Sequence, residues 1–192
     1  MELHYINNTN WVLGMGTDKD IQTNAFNNSS RDSTFIIRQC TFEDLELVKE
    51  VNEKELPEDY PFFFYKSILD NFQESFLVAS PKDNPNKIVG YIMWRIEKTP
   101  SKDSLRLIQK GHLVSIAVLE AYRRMGIATA LLAQSMPTIR EHQIKEYVLE
   151  VRVSNYSAIN LYEKFNYKKE GIKKKYYKDG ENAYYMICKV EE

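Results

Sequence analysis

The amino-acid sequence predicts one α+β domain with a mixed central sheet of about seven strands and about four helices. Short runs of β-branched and aromatic residues recur along the chain and indicate strands. Between several of these runs, apolar residues repeat at helical spacing and indicate helices that pack on the sheet. The chain has 192 residues, which is enough for one full hydrophobic core and an appendage.

Residues 1–33 differ in composition from the rest of the chain. They are rich in Asn, Ser, Thr and Asp, and they have almost no repeated apolar spacing. Such a segment cannot bury enough apolar surface to offset the entropy that it loses on ordering. We therefore predict a flexible N-terminal extension over residues 1–33 and a single folded domain over residues 34–192.

The first elements of the folded domain follow directly from local patterns. Thr34–Gln39 is β-branched and aromatic, so it predicts a strand. Thr41, with Asp44 three residues later, has the pattern of a helix N-terminus. The two prolines of Leu56–Pro61 indicate a loop, because proline restricts the residue before it. A second, largely aromatic helix is expected over about Phe62–Phe72.

The later elements are assigned from the same patterns. We expect a polar connection over Thr99–Lys110. Another helix begins at Gly126, and Pro137 should end or kink it because proline removes a backbone hydrogen bond. The last predicted helix is Tyr156–Phe165. The other predicted strands are Phe76–Ala79, Ile88–Ile96, His112–Val118, Tyr147–Val153, Tyr167–Tyr177 and Ala183–Val190.

Composition excludes several classes of protein. The chain is 43% hydrophobic and 28% charged, which is close to the globular average and excludes disorder of the whole chain. Its net charge of -1 argues against a nucleic-acid binder. We interpret the local basic stretch Lys168–Lys175 as a solvated face with a contact to a cofactor phosphate. Cys40 and Cys188 have no metal-ligand spacing and are expected to be reduced thiols.

The sequence has neither a membrane span nor a secretion signal by the usual criteria. No stretch approaches the roughly 18 apolar residues of a span, and the N-terminus lacks the basic and then apolar layout of a signal peptide. We therefore expect a soluble cytoplasmic protein that does not bind membranes.

The strongest local motif is Arg123-Arg124-Met125-Gly126-Ile127-Ala128, between an apolar strand and an apolar helix. Glycine lets the chain turn tightly and lets a ligand approach the backbone. The start of a helix then offers unpaired N–H groups and a positive dipole end, which suit a phosphate. The same residues also fit an ordinary glycine-containing turn. A dinucleotide or nucleoside triphosphate site is excluded, because the motif has one glycine and no following Gly-Lys-Ser/Thr.

The chain has Arg-x-x-Gly-x-Ala at 123–128, then Asn155–Ala158, then Leu161-Tyr162, and this combination resembles the GNAT acetyltransferases. Three further motifs, Leu56–Pro61, Gly111–Val118 and Leu149–Asn155, resemble in particular the RimI-like archaeal N-terminal acetyltransferases. The latter are similar to the catalytic subunit of the eukaryotic NatA complex. The resemblance covers residues from about 34 to 190, in the same order, and implies the GNAT fold.

The resemblance also implies acetyl-CoA as the cofactor and a set of residues that bind it. Strand-like pairing from the backbone would hold the pantetheine arm, the loop and helix start would hold the pyrophosphate, and residues of a later helix would flank the thiol. The implied cofactor residues are Ile116, Ala117, Val118, Arg123, Arg124, Met125, Gly126, Ile127, Ala128, Thr129, Asn155, Tyr162, Glu163 and Lys164.

Acetyl transfer needs a base for the amine and an acid for the leaving thiolate. Glu58, His112 and Glu150 are candidates for the base, acting through one water. Alternation along the strand predicts that His112, Val114 and Ile116 share a face, and it places Glu150 opposite Leu149 and Val151. The Ile116 N–H is a candidate oxyanion donor, and Tyr162 is the candidate acid.

Each catalytic candidate also has a purely structural interpretation. Glu58 could be a solvated loop acid, His112 a hydrogen-bonded strand-end histidine, Glu150 the partner of a nearby arginine, and Tyr162 a core aromatic. A zinc ion between His112 and Glu150 would have only two protein ligands, which makes a poor site, so no metal is expected.

Substrate recognition is expected to use tyrosines, of which the chain has 13. A phenol can hydrogen-bond a peptide backbone while its ring packs against a side chain. Tyr60 and Tyr177, with Ile116, match family positions that bind the first substrate residues. Leu56-Pro57-Glu58 resembles the NatA pattern, which implies small first residues such as Ser, Ala or Thr. The archaeal relatives also accept Met before a hydrophobic residue.

The leading hypothesis is therefore an acetyl-CoA-dependent acetyltransferase of protein N-termini that acts as a monomer, with nascent chains at the ribosome among its candidate substrates. A second hypothesis keeps the chemistry but changes the acceptor to a lysine or a small amine, which would require a stronger base. A third is a catalytically silent module that only binds acetyl-CoA. The joint presence of Glu58, His112, Glu150 and Tyr162 argues against the silent module.

Overall fold

The structure is a computed structural model that describes residues 34–101 and 106–190. These residues form seven strands and four α-helices, which confirms the predicted α+β class. The predicted flexible extension over residues 1–33 lies outside the described residues. None of the helices described is long and apolar enough to cross a membrane.

All seven strands belong to one mixed sheet, in the order β1-β2-β3-β4-β5-β7-β6. Neighbours are antiparallel except β4 and β5, which run parallel. The strands are β1 (Phe35–Gln39), β2 (Leu77–Pro81), β3 (Gly90–Pro100), β4 (Leu107–Val118), β5 (Glu146–Arg152), β6 (Lys168–Lys173) and β7 (Ala183–Lys189).

The helices cover the two faces of the sheet in pairs. Helices α1 (Leu45–Glu55) and α2 (Phe62–Phe72) pack on one face, in a core that contains Tyr91 and Met93 of β3. Helices α3 (Ile127–Arg140) and α4 (Tyr156–Lys164) pack on the opposite face, in a core that contains Trp94. A short 3-10 turn precedes α1, and the Asp44 carboxylate accepts a hydrogen bond from the Thr41 backbone N–H at 2.8 Å. The predicted role of this acid is therefore confirmed.

One predicted connection is wrong, and Pro137 does not end its helix, which is one of the two effects predicted for it. Thr99–Lys110 is not a polar connection, because β3 runs to Pro100 and β4 starts at Leu107, with Thr99 opposite Ile108. Lys110, at the end of this stretch, is buried and pairs with Glu146 of β5 at 2.9 Å, so the polarity of the stretch does not prevent strand formation. Helix α3 also does not end at Pro137. Ile139 beyond it is fully buried, and this packing offsets the loss of one backbone hydrogen bond.

Two irregularities of β4 shape the middle of the molecule. A bulge lies where Met93 faces Ser115 but Trp94 faces Leu113, so Val114 is an extra residue on β4. On its other side, β4 pairs with β5 only from Lys110 to His112. Beyond His112 the two strands are not paired within the described residues, although β4 continues to Val118.

Candidate active site

The separation of β4 from β5 opens a cleft of about 1730 Å³. Its walls are the end of β4, the start of α3, the start of α4 and the loop over residues 56–61, which we call the acceptor loop. Backbone groups on the β5 side of Ile116–Val118 face this opening because no described strand pairs with them there. An extended ligand can pair with such an edge as another strand would.

The Arg123–Ala128 motif forms one end of the cleft. Gly126 has a left-handed φ of +84° and directly precedes α3, and Arg124 has a φ of +62°. A Cβ at Gly126 would meet no heavy atom within 4 Å, so the turn borders open space. The first helical bond runs from the Ala130 N–H to the Gly126 carbonyl, which leaves the N–H groups before it for a ligand.

Arg123 also has a structural role, in addition to the predicted cofactor contact, that the sequence motif does not indicate. Its guanidinium pairs with Glu55, at the end of α1, and also donates to the Val118 carbonyl at 3.2 Å. Glu55 in turn accepts a hydrogen bond from the Glu120 N–H at 2.9 Å. The last turn of α1 is therefore fastened to the loop that leads into the anion motif.

The cleft is lined by 12 of the 14 predicted cofactor residues, and the two exceptions are Met125 and Glu163. Met125 is exposed. Glu163 pairs instead with Lys169, with 2.9 Å between Oε1 and Nζ. Met125 and Glu163 therefore do not line the cleft, and their predicted part in cofactor binding stays a prediction.

Asn155 and Tyr162 are placed by α4. Asn155 is the N-cap of α4, and its side-chain oxygen accepts a hydrogen bond from the Ala158 N–H at 3.1 Å. Its amide group therefore borders the cleft in a fixed orientation. Tyr162 is buried and packs at a ring-centroid distance of 5.8 Å from Tyr167. Burial raises the pKa of Tyr162 well above its ordinary value, so its hydroxyl stays protonated.

His112 and Glu150 are brought together on the sheet face that carries α1 and α2. His112 Nε2 lies 2.7 Å from Glu150 Oε2, and His112 Nδ1 lies 3.0 Å from Glu97 Oε1. Both ring nitrogens thus face carboxylates, so a neutral ring donates to one of them, and a ring that has accepted a proton donates to both. Lys173 pairs with the other oxygen of Glu150, and Arg95 pairs with Glu97.

The two carboxylates of this cluster stay ionised. Burial raises the pKa of Glu150, but hydrogen bonds and charges from His112 and Lys173 outweigh it and lower the pKa to about 2. The pKa of Glu97 is also lowered, because the contacts with His112 and Arg95 outweigh the effect of burial. The cluster therefore holds two negative charges against the ring of His112.

One predicted feature of β4 is wrong. His112, Val114 and Ile116 do not share a face: Val114 packs in the α1–α2 core, whereas Ile116 packs in the core with α3 and α4. The bulge at Val114 inserts one residue and reverses the alternation beyond it. His112 and Ile116 both still line the cleft, since it opens at the edge of β4.

Arg152 is the main residue of the cleft that the sequence interpretation missed. Its guanidinium contacts three carboxylates: Glu58 Oε1 at 2.5 Å, Asp179 Oδ2 at 2.7 Å and Glu181 Oε2 at 2.7 Å. It also lies 4.0 Å from the ring centre of Tyr177. Glu58 is therefore not a solvated loop acid. Its carboxylate is held in place from across the cleft.

Tyrosines form the remaining wall. Tyr60 stacks on Phe64 at 4.8 Å between ring centroids, and its hydroxyl lies 3.5 Å from the Val114 carbonyl. Tyr177 packs edge-on against Tyr176 at 5.1 Å. Burial raises the pKa of Tyr60 and Tyr177, so both phenols are neutral hydrogen-bonding groups.

The residues present fit a long anionic thioester cofactor. The left-handed turn with open space at Gly126 and the N–H groups of the α3 start suit a pyrophosphate. The open edge of Ile116–Val118 suits an amide-containing arm. In the part of the chain that the structure describes, no group of three or more His, Cys, Asp or Glu residues could hold a metal ion.

Comparison with known proteins gives similar sequences and structures over most of the chain. The profile of the Acetyltransferase (GNAT) family matches residues 38–167. An N-alpha-acetyltransferase of Saccharolobus solfataricus is 48% identical over 155 residues, covering 79% of this chain and 91% of that protein. The NAA10 catalytic subunit of the N-terminal acetyltransferase A complex of Arabidopsis thaliana is 36% identical, covering 78% and 75% of the two chains. The crystal structure of Ard1 from Thermoplasma volcanium is 28% identical, with a TM-score of 0.71 over 83% of this chain and 99% of that one.

Proposed function

Because the chain belongs to the GNAT acetyltransferase family, we propose that it transfers the acetyl group of acetyl-CoA to the α-amino group of protein N-termini. The observation that carries this function is that one cleft joins an anion-binding helix start to an acceptor loop lined with acid and phenol groups. Similarity to a protein named N-alpha-acetyltransferase, at 48% identity, supports the same function.

The cofactor supplies an activated acetyl thioester when it is bound. Arg124, Gly126 and the N–H groups up to Thr129 would hold its pyrophosphate. The backbone of Ile116–Val118 would hold the pantetheine arm, with Asn155 and Lys164 at its sides. The Ile116 N–H would polarise the acetyl carbonyl as charge develops on oxygen.

We assign proton removal from the amine to His112 and Glu150 acting as a pair through one water. Because its pKa is about 2, Glu150 is itself a weak base and instead stabilises the proton that His112 accepts. Tyr162, whose raised pKa keeps it protonated, would donate a proton to the leaving thiolate. The pair suits an α-amino group, whose pKa of about 7.7–8.0 is far below that of lysine, about 10.4.

The acceptor loop and the β6–β7 connection would hold the first residues of the substrate. Tyr60 and Tyr177 face the cleft from opposite sides, and Glu58 is held by Arg152 between them. We propose that this wall accepts small first residues such as Ser, Ala and Thr, and also Met before a hydrophobic residue. The buried phenols would hydrogen-bond the substrate backbone.

We place the enzyme in the cytoplasm as a monomer that acts on nascent chains at the ribosome. Cys40 is a buried thiol outside any disulfide, which is consistent with a reducing compartment.

The test is CoA thiol release from acetyl-CoA over a matched panel of peptides. Peptides that start with free Ser, Ala or Met-Leu should be acetylated, and the same peptides with a blocked N-terminus and an internal lysine should not. Turnover that survives blocking would indicate a lysine acetyltransferase instead. Cofactor binding without release on any amine would indicate a silent binding module.

A further inference from the structure

We infer that Asn52 is a positioning residue that holds the acceptor loop in its productive conformation. This inference rests on the proposed function, since it assigns a role in binding the acceptor. Asn52 lies in the last turn of α1 and is fully buried, away from the cleft itself. It touches neither the anion motif nor the His112–Glu150 pair.

The Asn52 side chain uses both ends of its amide. Its Nδ2 donates to the Glu58 carbonyl at 2.6 Å, and its Oδ1 accepts from the Tyr91 hydroxyl at 2.5 Å. The same hydroxyl lies 2.7 Å from Ser115 Oγ on β4. Three buried side chains thus connect the acceptor loop to the strand that borders the cleft.

This chain of hydrogen bonds is costly to bury unless every member is satisfied. Apolar side chains of similar volume would fill the same space between α1 and β3 and would be close to neutral for stability. The polar chain therefore specifies a conformation more than it adds stability. These hydrogen bonds specify the position of the Glu58 carbonyl, because this carbonyl is the last acceptor in the series.

The acceptor loop depends on side-chain hydrogen bonds from outside the loop to hold its conformation. Pro57 and Pro61 have no N–H group, so the loop has few backbone donors with which to fix itself. Asn52 holds Glu58 by its main chain, while Arg152 holds the Glu58 carboxylate from the other side. Tyr60 lies two residues after Glu58 and lines the cleft, so its position depends on the same stretch of backbone.

A loss of this fastening should weaken acceptor binding selectively. In Asn52→Leu, which keeps the side-chain volume, we expect KM for the peptide to rise about tenfold, the size expected for one buried neutral hydrogen bond. KM for acetyl-CoA should stay within about twofold, because the loop before the anion motif is held by contacts of Arg123 and Glu55 that do not involve the Asn52 side chain.

A matched control is Asn71→Leu. Asn71 also donates its amide to a carbonyl, that of Ser67 at 2.7 Å, but it is exposed on α2 and outside the loop. Neither KM should change in this variant. Tyr91→Phe is a milder second variant that keeps the ring and removes the hydroxyl that orients the Asn52 amide. Peptide KM should rise in the same direction by a smaller factor.

Hydrogen–deuterium exchange of the protein without ligands gives a readout independent of activity. Amides of residues 58–60 should exchange about tenfold faster in Asn52→Leu, and more modestly so in Tyr91→Phe, while the middle of α1 keeps its protection. Unchanged exchange and unchanged peptide KM would overturn the inference, and so would an equal rise in both KM values. If the wild type acetylates no peptide, the proposed function fails, and the exchange of the loop still decides the role of Asn52.

Discussion

Glu150 makes the stability of this protein depend on pH, and the size of that dependence follows from its contacts. Its side chain is only 6% exposed and pairs with His112 at 2.7 Å and with Lys173. These partners outweigh burial and lower its pKa from the ordinary 4.5 to about 2. Each tenfold change in acidity corresponds to about 1.4 kcal/mol, so ionised Glu150 stabilises the fold by about 3 kcal/mol at neutral pH relative to the protonated residue.

The sign of the effect is fixed by the direction of the change in pKa. A carboxyl whose pKa is lower in the folded state contributes its full stabilisation above the unfolded value of 4.5. The contribution is lost as the pH falls from there through about 2. In Glu150→Gln this part of the acid dependence should disappear, because glutamine does not titrate.

The measurement is urea unfolding of the wild type and Glu150→Gln at about pH 7, 5 and 3. The difference in free energy of unfolding between them should be largest at about pH 7 and should shrink by about 2 kcal/mol at about pH 3. Glu163→Gln is the control. The Glu163 side chain, which pairs with Lys169, is 45% exposed, so its loss should change the free energy of unfolding little. A wild-type advantage of the same size at all three pH values would refute the assignment.

Three further predictions concern ligand binding and catalysis. Gly126→Ala places a side chain on a left-handed residue, which costs about 1–2 kcal/mol of backbone strain. KM for acetyl-CoA should therefore rise about tenfold, and KM for the peptide, measured in the same assay, should stay constant. Tyr162→Phe should lower kcat by a factor on the order of 10² or more with a thermal midpoint close to wild type; an unchanged kcat would exclude it as the acid. Arg152→Lys keeps the charge but cannot contact three carboxylates at once, so peptide KM should rise about fivefold, and steady-state kinetics with unchanged peptide KM would contradict its role in holding Glu58.

Much of the fold could be predicted because its signals are local. Patterns within about ten residues predict the helix Phe62–Phe72, the order of helices and strands along the chain, and the turn at Gly126. The errors occurred where distant packing overrides a local signal. Pro137 stays within α3, where Ile139 is buried, and the polar arms of the β3–β4 hairpin pair as strands.

The candidate site divides in the same way. Glu58, His112, Glu150 and Tyr162 could be proposed from motifs, and their catalytic roles stay predictions. Their surroundings could not be proposed, because the contacts cross long stretches of chain. Arg152 reaches Glu58 across 94 residues, and Tyr91 reaches Asn52 across 39.

The sequence by itself determined which chemical groups this protein brings to an acetyl transfer, since residue type and local spacing specify donors, acids and a phosphate-binding turn. Only the tertiary structure decided how those groups face one another. A single bulged residue, Val114, reverses the alternation of β4 and separates Ile116 from the face of His112. Side-chain direction along a strand depends on cross-strand register, and register is a property of the assembled sheet.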